Sequence, residues 1–171
     1  MARDVFDPYA LIQALERQRV TYIVVGGLGR VLHGSDELTD GLDIVPSMRD
    51  ENLRRLGLAL EDLKARRPDG KRLVFERDLP RQPVLELQTE AGELKIVPEP
   101  AGTRGYDDLR RRATREPIGH GLRPSVASPD DHARMLAALD RQQDQVPLQT
   151  MQRLIELERE LHRGRGLSIE R

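Results

Sequence analysis

The sequence predicts an α/β (α+β) domain, a mixed β-sheet flanked by helices with a helical C-terminal part. Three observations carry that expectation. Short apolar, β-branched runs at Val20 to Val25 and Leu42 to Val45 alternate with helix-length amphipathic stretches. A strand cluster with a hairpin signal, Glu90-Ala91-Gly92, follows in the middle of the chain. From Ser128 onward the apolar residues recur at helical spacing. Order and spacing together suit one compact unit, an α/β core over 1–127 with helices of 128–171 packed on it.

Each element has a local cause. Asp7-Pro8 starts a helix, a capping carboxylate followed by proline at the first helical position. Leu11, Ala14 and Leu15 give it an apolar stripe. Val20 to Val25 reads as a buried strand ending at Gly26-Gly27, and Leu28 to Leu32 as the helix after it. Leu42 to Val45 is a second strand, stopped by Pro46. Ser47 or Asp50 would cap a long helix with Leu53, Leu56, Leu60 and Leu63 on one face. Leu73 to Phe75, Val84 to Leu87 and Glu93 to Val97 read as strands, the last two as a hairpin. Tyr106 to Thr114 reads as a helix carrying Arg110, Arg111 and Arg112, and Leu122 to Val126 as a last strand. Ser128-Pro129-Asp130-Asp131 is a strong helix start. The final helix is expected over Pro147 to His162, with Leu148, Met151, Leu154, Ile155 and Leu161 as its stripe.

Composition narrows the function classes. The 171 residues are 37% hydrophobic and 33% charged, enough for one sizeable core beneath a charged surface. Net charge is -1, from 28 basic and 29 acidic residues, so a global nucleic-acid footprint is absent and RNA as a partner has no support from charge. Cysteine is absent, which removes disulfides, thiolate metal sites and a cysteine nucleophile. Aromatic residues make up 3%, too few for base-stacking platforms. Met1-Ala2-Arg3-Asp4 lacks the apolar region of a signal peptide and no apolar run approaches ~18 residues, so a cytoplasmic protein with no membrane partner is expected.

The residues that could carry chemistry surround the first two strands. Gly26 and Gly27 would allow close backbone approach of a phosphate at a strand-to-helix turn, or serve simply as a tight turn. Two acids one residue apart on a strand point the same way and can share a divalent cation. Asp43 stands in such a position, but Gly41 takes the place of the first acid. Asp40 has the opposite parity and reaches the same face only through a bulge at Gly41. On the later strand Lys95 faces inward, with Glu93 of the same parity beside it. A lysine there repels a divalent metal, and its alternatives are pairing with Asp43, binding a phosphate directly, or solvation on an edge strand. The arginines from Arg104 to Arg115 read as a charged face neighboured by Asp107 and Asp108, with polyanion contact as the alternative. His33 and His120 lack a metal-ligand partner at usable spacing and read as structural. The C-terminal stripe suits core packing, or a homodimer helix pair that Glu158 would interrupt.

Tyr22-Ile-Val-Val-Gly-Gly-Leu-Gly-Arg-Val-Leu-His-Gly34, Thr39 to Pro46 and Gly92 to Gly105, with a looser match over Asp131 to Asp144, resemble the nucleotidyltransferase-fold proteins of the AbiEii toxin type and related toxin–antitoxin families. The resemblance implies a nucleotidyltransferase-like fold, Mg²⁺ and an NTP as cofactors, and a cognate toxin or antitoxin as partner. Active members carry Asp-x-Asp on the second strand, a third Asp on the later strand, and a Lys followed by Arg-x-x-Asp in the C-terminal helix. Gly26, Gly27, Asp43, Arg141 and Asp144 match that pattern, whereas Gly41, Lys95 and Leu136 depart from it. The expectation is a divergent, catalytically impaired member that binds a nucleotide or phosphate ligand through Gly26, Gly27, Arg30, Lys95, Arg141 and Asp144. Two alternatives stand beside it. One is an active metal-dependent nucleotidyltransferase with a rearranged site, Asp43 as metal ligand with Glu93 and Asp40 as further catalytic acids. The other is a non-catalytic dimeric interaction module.

Overall fold

The computed structural model describes residues 5–75, 79 and 83–167; Met1 to Asp4, where the leader expectation rested, lie outside them. Helix α1 (Pro8–Arg17) leads into strand β1 (Tyr22–Val25), which runs without a loop into α2 (Gly26–Leu32). Strand β2 (Gly41–Pro46), helix α3 (Asp50–Asp62) and the β3–β4 hairpin (Leu85–Thr89, Gly92–Ile96) follow. A short α4 (Tyr106–Leu109), strands β5 (Thr114–Arg115) and β6 (Ser125–Val126), α5 (Pro129–Leu139), a 3₁₀ turn (Gln142–Asp144) and α6 (Gln145–Leu167) complete the chain. Among the described residues the strands form one mixed six-stranded sheet in the order β3-β4-β2-β1-β6-β5.

Alternation of side chains along the strands sorts the sheet into two unequal faces. One face carries Val24, Leu42, Ile44, Leu85, Leu87, Leu94 and Ile96, packed against Leu11 and Leu15 of α1 and Leu56 and Leu60 of α3. The second carries Ile23, Val25 and Val45, covered by Leu109 of α4, Ala127 and Met135 of α5. That smaller cover stops at β1 and the end of β2. The same face of β4 and β3 bears Glu93, Lys95, Glu86 and Gln88 instead of apolar residues, and stays open. A mixed sheet covered on one side and half covered on the other is thus written into the strand patterns.

The helix starts form as their caps dictate. The Ala10 amide donates to Asp7 Oδ1 at 3.1 Å and the Asp131 amide to Ser128 Oγ at 3.1 Å, each with proline following the cap. At α3 neither Ser47 nor Asp50 caps. Arg49 holds that position, and the Asn52 amide ties the chain together, accepting from the Thr21 amide at 2.7 Å and donating to the carbonyls of Thr21 and Ser47.

Other expectations change. Leu73 to Phe75 is not a strand: the chain touches the outer edge of β3 through the isolated bridge of Arg66 with Gln88 and turns away over 68–70 before it reaches Leu73. The helix from Tyr106 ends at Leu109, and the chain turns back at Thr114–Arg115 to pair with β6. Pro124 supplies no N–H, and the last strand shrinks to Ser125–Val126. The final helix is longer than its stripe, running on to Leu167 although residues 156–166 are exposed.

Candidate functional site

β1 and β2 are antiparallel with Val25 opposite Asp43; β2 and β4 are parallel with Gly41 opposite Glu93 and Asp43 opposite Lys95. The three strand ends therefore bring Gly26, Gly41, Asp43, Glu93 and Lys95 to one open corner of the sheet. The ladder from Gly41 to Ile44 is unbroken, so it contains no bulge, and Asp40 stands exposed outside the strand.

Gly26 and Asp43 are in contact. A Cβ built on Gly26 would lie 2.9 Å from Asp43 Cγ and nearer still to its Oδ2, and the Gly26 φ of +71° is one that glycine adopts without strain. The glycine thus leaves the space that the carboxylate fills. Gly41 is equally committed: a Cβ there would lie 3.2 Å from Glu93 Cβ and 3.2 Å from the Glu93 carbonyl oxygen. At Gly27 the added carbon would meet Thr39 at 3.5 Å and Arg30 Nη2 at 3.9 Å.

Lys95 Nζ lies 3.4 Å from Glu93 Oε1, so the lysine's ion pair is with Glu93, its neighbour along the strand. Burial raises the pKa of Asp43 above the usual aspartate value; the Lys95 ammonium opposes this, Glu93 adds to it, and Arg30 and Asp40 act more weakly in opposite senses. Burial works to lower the Lys95 pKa, but Glu93, then Asp43, and at longer range Glu86 outweigh it and hold the lysine charged. Lys95 therefore pairs with Glu93 and feels Asp43 and Glu86 only through their charge.

Arg30 is spoken for. Its Nε and Nη2 grip Glu37 at 2.8 and 2.7 Å, and the Ser35 hydroxyl donates to the same carboxylate at 2.7 Å. Burial would raise the Glu37 pKa, but the hydrogen bonds from Arg30 and Ser35 bring it below the ordinary value. Arg141 and Asp144 likewise take each other, Nε to Oδ2 at 2.6 Å and Nη2 to Oδ1 at 3.1 Å, in the turn between α5 and α6. α5 ends at Leu139, with Asp140 left-handed at φ +48°, so these two lie outside the helix that the resemblance placed them in. Their hydrogen bonds tie that turn.

A histidine pair went unnoticed in the sequence. His132 of α5 is 1% exposed and its ring lies under α2, where a Cβ on Gly29 would come within 2.8 Å of both Cε1 and Nε2. Its Nε2 has no hydrogen-bond partner, and burial, with help from Arg30 and His33, pushes its pKa down to about 3. The His33 ring meets it edge-on, centroids 5.9 Å apart, with His33 Nε2 2.7 Å from the Ala127 carbonyl. The only trace in the sequence was the third glycine of Gly26-Gly27-Leu28-Gly29.

No family model matches the chain, and no curated protein matches it. Solved structures do. The chain is similar to the solution structure of the antibiotic-resistance factor ANT(2'')-Ia, at 14% identity and a TM-score of 0.56, over 95% of this chain and 92% of that one. It is also similar, at 15% identity and a TM-score of 0.49 over 90% and 89%, to a crystal structure from Thermotoga maritima assigned, short of proof, to the nucleotidyltransferases. The fold is nucleotidyltransferase-like, an α/β domain with a mixed sheet. No helix among the described residues is long and apolar enough to cross a membrane.

The fold class raises the question of a divalent metal. The residues at the corner do not fit one. Gly41 brings no oxygen, Glu93 is engaged by Lys95, and the residue opposite Asp43 on β4 is that same lysine, whose charge acts on it. Among the described residues no group of three or more His, Asp or Glu is placed to hold a metal ion.

Proposed function

We propose that this chain is a divergent nucleotidyltransferase-fold protein that binds a nucleotide or another phosphate-bearing ligand at the open sheet corner without transferring it. The observation that carries this reading is the position of Lys95, opposite Asp43 and paired with Glu93. An ammonium within a few ångströms of a divalent cation costs several kcal/mol of repulsion at the effective dielectric of about 20 found near protein surfaces. The same ammonium attracts a phosphate. Gly26 and Gly27 keep the adjoining turn free of side chains, and Asp43 can accept a ligand hydroxyl. A role within a toxin–antitoxin or regulatory pair rests on the family resemblance alone.

One observation favours a second reading, an active enzyme with a rearranged site. Glu93 stands opposite Gly41, so β4 supplies a carboxylate beside the place where β2 lacks one. A thermal-shift titration with the four NTPs, in EDTA and in Mg²⁺ or Mn²⁺, separates the two. A ligand at ~100 times its Kd adds about 2.7 kcal/mol of stability. Binding without turnover gives a shift that ignores metal and is lost in Lys95→Ala. A shift that requires metal, with pyrophosphate released and Asp43→Ala inactive, establishes the enzyme. No shift with any nucleotide sinks both.

A further inference from the structure

We propose that the cleft between the start of α3 and α4 is a second anion site, which takes a phosphate group, free or as the monoester of a small molecule. Ser47 and Asn52 are its buried lining, and Thr21, Arg49, Arg55 and Arg110 surround them. The cleft lies at the far end of the β1–β2 pair from the open corner: Tyr22 pairs with Pro46 here, Val25 with Asp43 there. The inference goes beyond the proposed function and does not rest on it.

Two independent features point to an anion. No side chain caps α3, so the amides of its first turn are left to an acceptor from outside the helix. Ser47 supplies the second. It is 8% exposed, it lines the cleft, and its hydroxyl has no hydrogen-bond partner among the described residues. The backbone on either side of that hydroxyl is held: the Ser47 amide donates to the Thr21 carbonyl at 3.0 Å, and its carbonyl accepts from Asn52 Nδ2 at 2.8 Å. A nearly buried hydroxyl, fixed in place and unpartnered, is left to donate to a ligand in the cleft.

Charge and size narrow the class. The guanidinium of Arg49 meets no carboxylate among the described residues. Glu51 and Asp107 also line the cleft, but both are engaged: Glu51 by Arg54 at 2.9 Å and Arg55 at 3.4 Å, Asp107 by Arg110 at 3.4 Å. The last pair is open to water, with side chains 59% and 83% exposed, so it gives way cheaply to a ligand that offers a guanidinium two oxygens. The cleft holds about 270 Å³. That is far more than the ~30 Å³ of a water and less than the ~300–1,000 Å³ of sites that enclose a drug-sized molecule, so it suits a small tetrahedral ion. A neighbouring cavity of about 390 Å³ shares Tyr106 and Arg110 and adds Arg111 and the apolar Ile23 and Ala113. There the substituent of a monoester has room.

The test is calorimetric titration of the full chain with inorganic phosphate and with phenyl phosphate, at ionic strength held constant with sodium chloride. It is run in Lys95→Ala, which takes the cation away from the corner. One phosphate per chain should bind with a Kd of about 1 mM or tighter. Adding Arg49→Ala or Arg110→Ala, both at exposed positions, should weaken it about tenfold, and Ser47→Ala about threefold. Arg159→Ala, which removes the same charge from the exposed end of α6, should change nothing. Phenyl phosphate binding more tightly than phosphate assigns the monoester, and equal or weaker binding assigns the free ion; either upholds the site. The proposal is overturned if no saturable binding appears at millimolar phosphate, if affinity survives the loss of Arg49 and of Arg110, or if Arg159→Ala weakens it as much as they do. NTP binding at the corner is read by its dependence on Lys95, so either site can fail without the other.

Discussion

Gly29 and His132 occupy one space. The imidazole of His132, from α5, lies where the first side-chain carbon of residue 29 would be, 2.8 Å from it at both Cε1 and Nε2. α2 thereby approaches α5 closely enough for His33 to meet His132 edge-on, and the helix that begins at the Gly26 corner is held from behind. Ordinarily Gly→Ala within a helix adds about 1 kcal/mol of stability. Here the ring is buried and has nowhere to go. Gly29→Ala should instead destabilise the protein by about 1–3 kcal/mol, the usual cost of overpacking. Urea denaturation checks this, and in a His132→Ala background the same substitution should be neutral or stabilising.

The same ring predicts a pH dependence. His132 has a folded-state pKa pushed down to about 3, against an ordinary 6.5. The unfolded chain therefore binds the proton more readily. The contribution is fully present above about 6.5 and is lost as pH falls toward 3, at up to ~1.4 kcal/mol per pH unit between them. Wild type should lose more stability between pH 7.5 and pH 4.5 than His132→Gln does. Equal losses would mean that the ring is not held neutral by its burial.

Asp43 works in the opposite sense. Its pKa is raised, with burial outweighing Lys95, so the folded state keeps the proton longer than the unfolded chain. That contribution is lost as pH rises through the folded value, and at neutral pH the ionised carboxylate is a cost. Asp43→Asn should raise the urea midpoint at pH 7 and leave it nearly unchanged at pH 3. A lower midpoint at pH 7 would show that the attraction of the Lys95 charge outweighs the burial of Asp43.

Much of this corner could be read before the structure. Period-two alternation placed Asp43, Glu93 and Lys95 on one face, and the ladder keeps them there, since a one-residue slip would have driven Leu42, Ile44, Leu94 and Ile96 out of the core. Asp7-Pro8 and Ser128-Pro129 start helices because capping is local chemistry. What failed depended on distant partners. Leu73-Val74-Phe75 has strand composition, but Leu73 and Phe75 pack half-buried against the core without pairing as a strand. The arginine-rich run after Tyr106 has helix propensity, yet Asp108 turns back to the Arg104 amide at 2.9 Å and to Arg134 at 3.1 Å, and the helix stops after Leu109. The contact between Gly29 and His132 joins residues far apart in the chain, and the glycine alone does not say which side chain fills its space. Arg141 and Asp144 follow from the motif and Arg30 from its place beside the Gly26-Gly27 turn, but which carboxylate or guanidinium each meets depends on the loops, and each has a partner close by.

The far end of α6 offers a test of self-association. Met151 is fully buried and Leu154 and Ile155 are half-buried, whereas residues 156–166 are exposed, Leu161 at 63%. A helix end with no packed side chains adds little to the stability of the monomer. Ending the chain after Glu158 should change the unfolding free energy by no more than about 0.5 kcal/mol. A loss of more than ~2 kcal/mol, together with a fall in chromatographic mass, would show that Leu157 and Leu161 pack against a second copy.

The tightest test of the corner is the cycle between Gly26 and Asp43. Gly26→Ala carries two penalties. A left-handed φ of +71° costs a non-glycine residue about 1–2 kcal/mol. The added carbon also falls on the Asp43 carboxylate, 2.9 Å from Cγ, and must push it or the strand aside. Asp43→Ala removes the second penalty and leaves the first. In the Asp43→Ala background, Gly26→Ala should therefore cost about 1–2 kcal/mol, and in wild type more. The difference, an interaction energy within the ~0.5–3 kcal/mol typical of touching residues, measures how firmly the glycine seats the carboxylate. Additive effects would mean that Asp43 swings clear at little cost, and Gly26 would then serve only as the turn into α2.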